Sequence, residues 1–276
     1  MALIPFYVLY VALCLLAFSV LARQAPCNPG QPRFAWAELR DDALYFLINI
    51  LLYGSVSLWL IKGGVALIDP ARAGAIVKAV NAGWGWAASL PIAVQALLVL
   101  IVTDVCQYWL HRVLHGRTLW PFHAVHHASV HVDWTTTWRV HPVNFLIYSA
   151  VVGAMVKLMG FSPLTYVVLW PINLLMGALV HANLNWTFGP LKYVIASPVF
   201  HRWHHSDDPA VRDKNFAPTF PVLDLMFGTF HMPKGEVPRT YGAEGVPGNI
   251  IGQMIYPFAA IAARLRPKNR AEVTAV

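Results

Sequence analysis

Three histidine blocks stand out by their spacing: HRVLH at 111–115, HAVHH at 123–127 and HRWHH at 201–205, with a further histidine, His181, opening HANLNW. Residues i and i+4 share a helix face, so His111 and His115 can converge on one point. In HxxHH read as one helix, the first two histidines share a face and the third, next to the second, points about 100° away. One such helix offers two ligands to one metal ion and one to a neighbour; two facing helices do so reciprocally. That pattern asks for two ions. Imidazole suits iron, zinc, copper and nickel alike. A divalent ion takes it neutral, which removes the repulsion that imidazolium groups would meet at this density. Asp104 and Tyr108 lie on the same helical stripe as His111 and His115, where a carboxylate is placed to orient a ligating ring. One HxxxH is common on helices, but two HxxHH blocks beside an HxxxH are not expected by chance. His131 and His231, each standing alone, read as hydrogen-bonded or interfacial side chains.

The elements that must position these residues are apolar. Of 276 residues, 57% are hydrophobic and 12% charged, with a mean hydropathy of +0.53; a soluble domain carries about 25% charged residues. The expected fold is an all-α integral membrane protein, with four to five transmembrane helices and a cytoplasmic histidine-rich helical cap holding a dinuclear metal centre. Runs 2–22, 43–61 and 79–103 contain no Asp, Glu, Lys or Arg, and a crossing needs about 20 residues. Runs 143–156 and 158–180 are joined around KLMGFSP, where Gly160 and Pro163 favour a turn, so they read as a helical hairpin. Its first arm is short for a full crossing. Residues 246–263, interrupted by Pro247, Gly252 and Pro257, read as an interfacial segment. The organisation expected is N-terminal transmembrane helices over 1–103, a catalytic region over 104–235 that includes the 143–180 hairpin, and an interfacial segment with a basic tail over 236–276. Residues 1–22 lack the basic start of a signal peptide and read as an anchor that stays.

If the N-terminus lies outside, Lys62, Arg72, Lys78 and Lys157 fall near the outer face and the other sixteen of the twenty basic residues fall inside, as the positive-inside rule asks. The net charge of +7 is then a topology signal whose partner is anionic lipid headgroups, not nucleic acid. The histidines come to the cytoplasmic face. Arg112, Arg117, Arg139 and Arg202 read first as part of this bias, and second as contacts for an anionic headgroup or an acidic electron donor. Cys14, Cys27 and Cys106 have neither metal-site nor disulfide spacing. The compact length and plain AEVTAV end favour a bacterial inner membrane over the endoplasmic reticulum.

From about Asp104 to Thr229 the chain resembles the fatty acid hydroxylase superfamily, which includes the sterol desaturases. The resemblance rests on DVCQYWLHRVLH, LWPFHAVHHAS, TTTWRVHP, SPVFHRWHHSDDP and NFAPTFPVLDLMFGT, in family order. It implies a di-iron centre of two Fe ions with His111, His115, His123, His126, His127, His181, His201, His204 and His205 as ligands, O2 as co-substrate, and hydroxylation or desaturation of a fatty acyl chain or sterol. The chain departs from the family pattern at Ala217, where glycine is usual, and at Asn185, where some fatty acid 2-hydroxylases carry a further histidine. Asn185 or His141 is therefore a candidate for completing a metal's surroundings. No cytochrome b5-like domain precedes the region, so electrons are expected from a separate donor, a ferredoxin or a cytochrome b5 with its reductase. The alternative reading is a multi-pass metal transporter or metal-binding protein, but transporters hold ions near the bilayer midplane and these motifs sit at span ends. A zinc hydrolase would need the general-base Glu of HExxH.

Overall fold

The charge-free runs fold as helices in the computed structural model, which describes residues 4–32, 35–68, 71, 74, 75, 78, 82–162 and 164–265. In chain order these are α1 (Ile4–Gln24), α2 (Trp36–Ile68), α3 (Gly85–Ser89), α4 (Ile92–Leu114), α5 (Trp120–His123), α6 (Pro142–Leu158), α7 (Leu164–His181), α8 (Pro198–His204), α9 (Val222–Met226) and α10 (Ile250–Leu265). Four short 3-10 turns lie between them, at 126–128, 134–138, 189–193 and 209–211. Among the described residues there is no β-strand, only an isolated bridge between Ser206 and Tyr241.

Helix α4 is long and apolar enough to cross a membrane; Val8–Gln24, Pro142–Leu158, Val168–His181 and Ile250–Leu265 are shorter apolar helical stretches. Large apolar side chains stand exposed along these helices, among them Leu13 and Leu16 on α1, Leu47 and Leu51 on α2, Leu97 and Ile101 on α4, and Leu175 on α7. Exposed apolar surface of this extent marks a face that meets lipid or another apolar surface.

The third charge-free run is not one helix. Gly83 and Gly85 adopt φ of +82° and +65°, and Pro91 precedes the first turn of α4; residues 79–81 lie outside the described residues. Helix α4 starts thirteen positions later than the run, at Ile92, and continues past it to Leu114, with His115 at its C-terminal cap. The hairpin is present as α6 and α7. At its turn Gly160 has φ +83° and accepts the Trp84 N–H at 2.9 Å, and a Cβ there would lie 2.2 Å from the Trp84 carbonyl oxygen. Only glycine fits that backbone. Pro163 lies outside the described residues, as does the basic tail beyond 265. The 246–263 segment becomes helical only from Ile250, as α10, a single helix that keeps Pro257 inside it, leaves Pro247 before it and packs on α5.

Helix α4 packs against α6 and α7, and α7 against α8. Trp134 and Trp138 bury against Tyr10, Cys14 and Phe18 of α1 and against Leu184. This apolar cluster takes in both ends of the 134–138 turn, which follows the second histidine block. Two of the four arginines that read as a charge bias have other duties. Arg139 and Arg202 are both buried. Arg139 Nε pairs with Asp42 of α2 at 2.6 Å. Arg202 donates to the carbonyls of Val132 (2.6 Å) and His181 (3.0 Å), to the Tyr241 hydroxyl (3.1 Å) and to Gln31 (3.2 Å), and also to Asn28. Neither is available to a headgroup or an electron donor.

Candidate metal centre

The nine histidines gather into two groups. His111, His115, His123, His127 and His204 form one, and His126, His181, His201 and His205 the other; within each group one ring nitrogen from every residue lies within 4.8 Å of the rest. The reciprocity read from HxxHH is present, but the residue that crosses over is the middle one. His123 and His127 serve the first group and His126 the second; His201 and His205 serve the second and His204 the first. Positions i and i+4 are offset by only about 40° around a helix and i and i+3 by about 60° on the other side. The pair that falls in one group is therefore the one four apart. Moreover, the second block is not one helix: α5 ends at His123 and a 3-10 turn begins at His126. The groups share a wall, with the rings of His127 and His205 stacked at 4.5 Å between centroids.

Hydrogen bonds fix which nitrogen faces inward. Nδ1 meets a backbone carbonyl in four rings: His111 with Phe216 (2.8 Å), His126 with Arg139 (3.1 Å), His181 with Gly177 (2.7 Å) and His204 with Lys214 (2.7 Å). A carbonyl only accepts, so Nδ1 carries the proton and the neutral ring keeps its lone pair on Nε2. His115 Nδ1 meets Asp213 and His123 Nδ1 meets Asn144, each at 2.9 Å.

The Nε2 atoms converge. His111 and His123 are 2.9 Å apart, His181 and His201 3.0 Å, His123 and His127 3.2 Å, His201 and His205 3.2 Å, and His126 and His181 3.3 Å. Nitrogens bound to one ion at about 2.1 Å lie about 3 Å from one another. Facing lone pairs at that distance repel unless a cation lies between them. In addition, Nε2 of His115 and of His204 is buried with no hydrogen-bond partner. The donor set thus fits a metal ion in each group. Burial, and then the neighbouring imidazoles, push His123, His126, His127, His201, His204 and His205 well below the ordinary histidine range, so these rings are neutral and competent as ligands at physiological pH.

Four candidates from the sequence are placed differently. Asp104 touches no imidazole; its Oδ2 accepts the Phe220 N–H at 3.0 Å. Tyr108 meets Thr229 Oγ1 at 2.8 Å. Asp104 thus ties α4 to the loop before α9, and Tyr108 ties it to the turn after α9. Asn185 is exposed and its backbone N–H bonds Ala25, because the chain leaves α7 and turns away from the site. His141 caps α6, accepting the Val143 N–H at 3.2 Å, with Nε2 3.3 Å from the Met254 carbonyl. At Ala217 no glycine is needed, since the left-handed residues of that loop are Asp213 (φ +59°) and Asn215 (φ +57°). Sequence reasoning missed Asn144, Asp213, Asn215 and Asp224. Of these, Asn215 and Asp224 lay within a motif already singled out, but nothing in their spacing tied them to a histidine.

Two cavities reach the rings. One of about 300 Å³ opens between α4, α6 and α7; its walls include His111 and His123 of one group and His126, His181 and His201 of the other, with Gln107, Tyr148, Asn173 and Met176 farther along. The second, about 970 Å³, meets His115, His127 and His204 and is rimmed by charged residues including Arg117, Asp207, Arg212 and Glu244.

Residues 96–229 match the family model described as fatty acid hydroxylase. Among curated proteins, the ornithine lipid hydroxylase OlsE of Rhizobium tropici is 32% identical over 178 residues, which cover 63% of this chain and 53% of that protein. The alkylglycerol monooxygenase of Danio rerio is 34% identical over 134 residues, 48% of this chain and 30% of that protein. A very-long-chain aldehyde decarbonylase of Oryza sativa, GL1-6, is 30% identical over 165 residues, 55% and 25%. The chain thus spans about half the length of the first of these relatives and less of the others. No solved structure gives a significant match. All nine histidines of the two convergent groups lie inside the stretch that matches the fatty acid hydroxylase model.

Proposed function

We propose that the protein is an O2-dependent membrane oxygenase that hydroxylates an unactivated C–H bond of a lipid, with one iron ion in each histidine group. The observation that carries this reading is the cavity between α4, α6 and α7, whose walls include rings of both groups. It opens among helices whose outer faces are apolar, so a lipid chain can enter from the leaflet and stop at the metals. When bound, the iron pair supplies the oxidising power for breaking the C–H bond. The chain's own part is to hold the neutral imidazoles in place, to orient the chain in the cavity, and to keep bulk water from the reacting carbon. Hydroxylation is favoured over desaturation because two of the relatives are a hydroxylase and a monooxygenase.

In this reading α1, α2, α4 and the α6–α7 hairpin lie in the membrane, and residues 104–235 form the catalytic unit. The histidine cap faces the cytoplasm, in a bacterial inner membrane. The charged rim of the larger cavity is where a separate electron donor docks. A metal transporter is disfavoured because the histidines sit at the ends of α4 and α7 and beyond, not within the spans, where transporters hold their ions.

The test is oxidation of a membrane lipid extract under 18O2, with a ferredoxin or cytochrome b5 and its reductase supplying the two electrons that carry the second oxygen atom to water, read by mass spectrometry. The wild type adds one labelled oxygen to a lipid. Met176→Trp, which fills the cavity away from the histidines, lowers turnover by about 10- to 100-fold with iron content unchanged. No labelled lipid from the iron-loaded wild type, or full activity in Met176→Trp, contradicts the reading.

A further inference from the structure

The two histidine groups are not built alike. Three of the five histidines in the first group take their orientation from one four-residue segment, 213–216: Asp213 Oδ1 meets His115, the Lys214 carbonyl accepts from His204, and the Phe216 carbonyl accepts from His111. No histidine of the second group is held by that segment; His126 and His181 bond the carbonyls of Arg139 and Gly177, and Nδ1 of His201 and His205 is buried without a partner.

The segment is itself clamped. Positive φ at Asp213 and Asn215, a backbone state that Asp and Asn tolerate, shapes the turn so that one side chain and two carbonyls aim at one cluster. The fully buried Asn215 donates Nδ2 to the carbonyls of Phe200 and His231, and its Oδ1 accepts the His231 N–H, each at 2.7 Å. Asp224, also fully buried, accepts the N–H groups of Phe216 (2.8 Å) and Ala217 (2.9 Å) and the Thr229 hydroxyl (2.6 Å). Thr229 in turn meets Tyr108 of α4. Both carboxylate oxygens of Asp224 are committed to holding the carbonyl template.

The geometry points to a division of labour: Asp224 is a positioning residue for the five-histidine group alone, acting through segment 213–216, so that the two ions are held independently and one can be lost without the other. This rests on the reading above that each group holds an ion.

Asp224→Asn keeps the shape but turns an NH2 group toward a backbone N–H, since an amide has one acceptor oxygen where the carboxylate has two. Purified from iron-replete cells and shown folded by its helical circular dichroism and a monodisperse detergent profile, this variant is expected to hold about one iron where the wild type holds two. Adding His204→Ala leaves that one iron in place, whereas adding His205→Ala removes it. Loss of a common scaffold would take both ions together. Two irons in Asp224→Asn, or none in the folded variant, overturns the inference. A wild type without two irons overturns it together with the two-ion reading. Should Asp224→Asn not fold, Asp213→Ala decides, because that side chain is largely exposed and touches only His115 of the group. It is expected to speed release of one of the two irons to a chelator by about 10-fold or more, leaving the other at the wild-type rate. Unchanged release of both ions, or equal acceleration of both, overturns the inference.

Discussion

His204→Ala and His126→Ala, each alone, are expected to lower lipid oxidation by at least about 10³-fold, the scale seen when one member of a catalytic unit is removed. His204 belongs to the five-histidine group and His126 to the other, so the two substitutions strike different ions. His204 presents a buried, unpartnered Nε2 to its group, with Nδ1 tied to Lys214. His126 presents Nε2 to His181 at 3.3 Å, with Nδ1 tied to Arg139. If both ions act in one event, the double variant is no worse than the poorer single one, since the second loss removes nothing that still functions. Labelled-lipid formation by the three proteins, each assayed with its helical content verified, checks this. Losses that multiply would mean two separate sites, and activity within tenfold of wild type in either single variant would remove that group from the chemistry.

The second large effect is on stability. Arg202 is fully buried, and its guanidinium is satisfied by carbonyl and amide oxygens and a phenol rather than by a carboxylate in direct contact. It ties the α7 C-terminus, through the His181 carbonyl, to the 28–31 segment, the Val132 turn and Tyr241. Arg202→Leu strands several buried acceptors, at a cost of about 3–5 kcal/mol, the range for breaking a buried charged network. An apparent Tm lower by about 10 °C in detergent follows for a chain of this size. Arg202→Lys recovers little, because an ammonium cannot reproduce the planar fork that reaches several acceptors at once. A Leu variant that melts within 2 °C of wild type, on the order of one buried hydrogen bond or less, would show that these bonds carry no net stability.

The histidines were legible in the sequence because their chemistry is local: spacing on a helix sets which faces they share, and nine such residues in an apolar chain have few other uses. The helical hairpin was legible for the same reason, through Gly160, whose backbone excludes any side chain. What spacing could not show was the exit of each ring. The prediction paired i with i+3, yet i and i+4 fall in one group both in the second block, where the helix ends at His123, and in the third, where it runs on to His204. Asp104 and Tyr108 were correctly placed on the stripe of His111, but their partners, Phe220 and Thr229, are more than a hundred residues away. The template at 213–216 was hidden for a deeper reason: two of its three contacts are backbone carbonyls, which every residue has and no motif records. Arg139 and Arg202 looked like surface charge because charge counting cannot see burial.

The central claim is that each histidine group holds one ion. Iron content of detergent-purified protein from iron-replete cells, measured beside His126→Ala/His204→Ala, tests it most directly. The account predicts close to two irons per chain in the wild type and loss of both in the variant. One iron or none in the wild type, or an iron content the variant leaves unchanged, would contradict it.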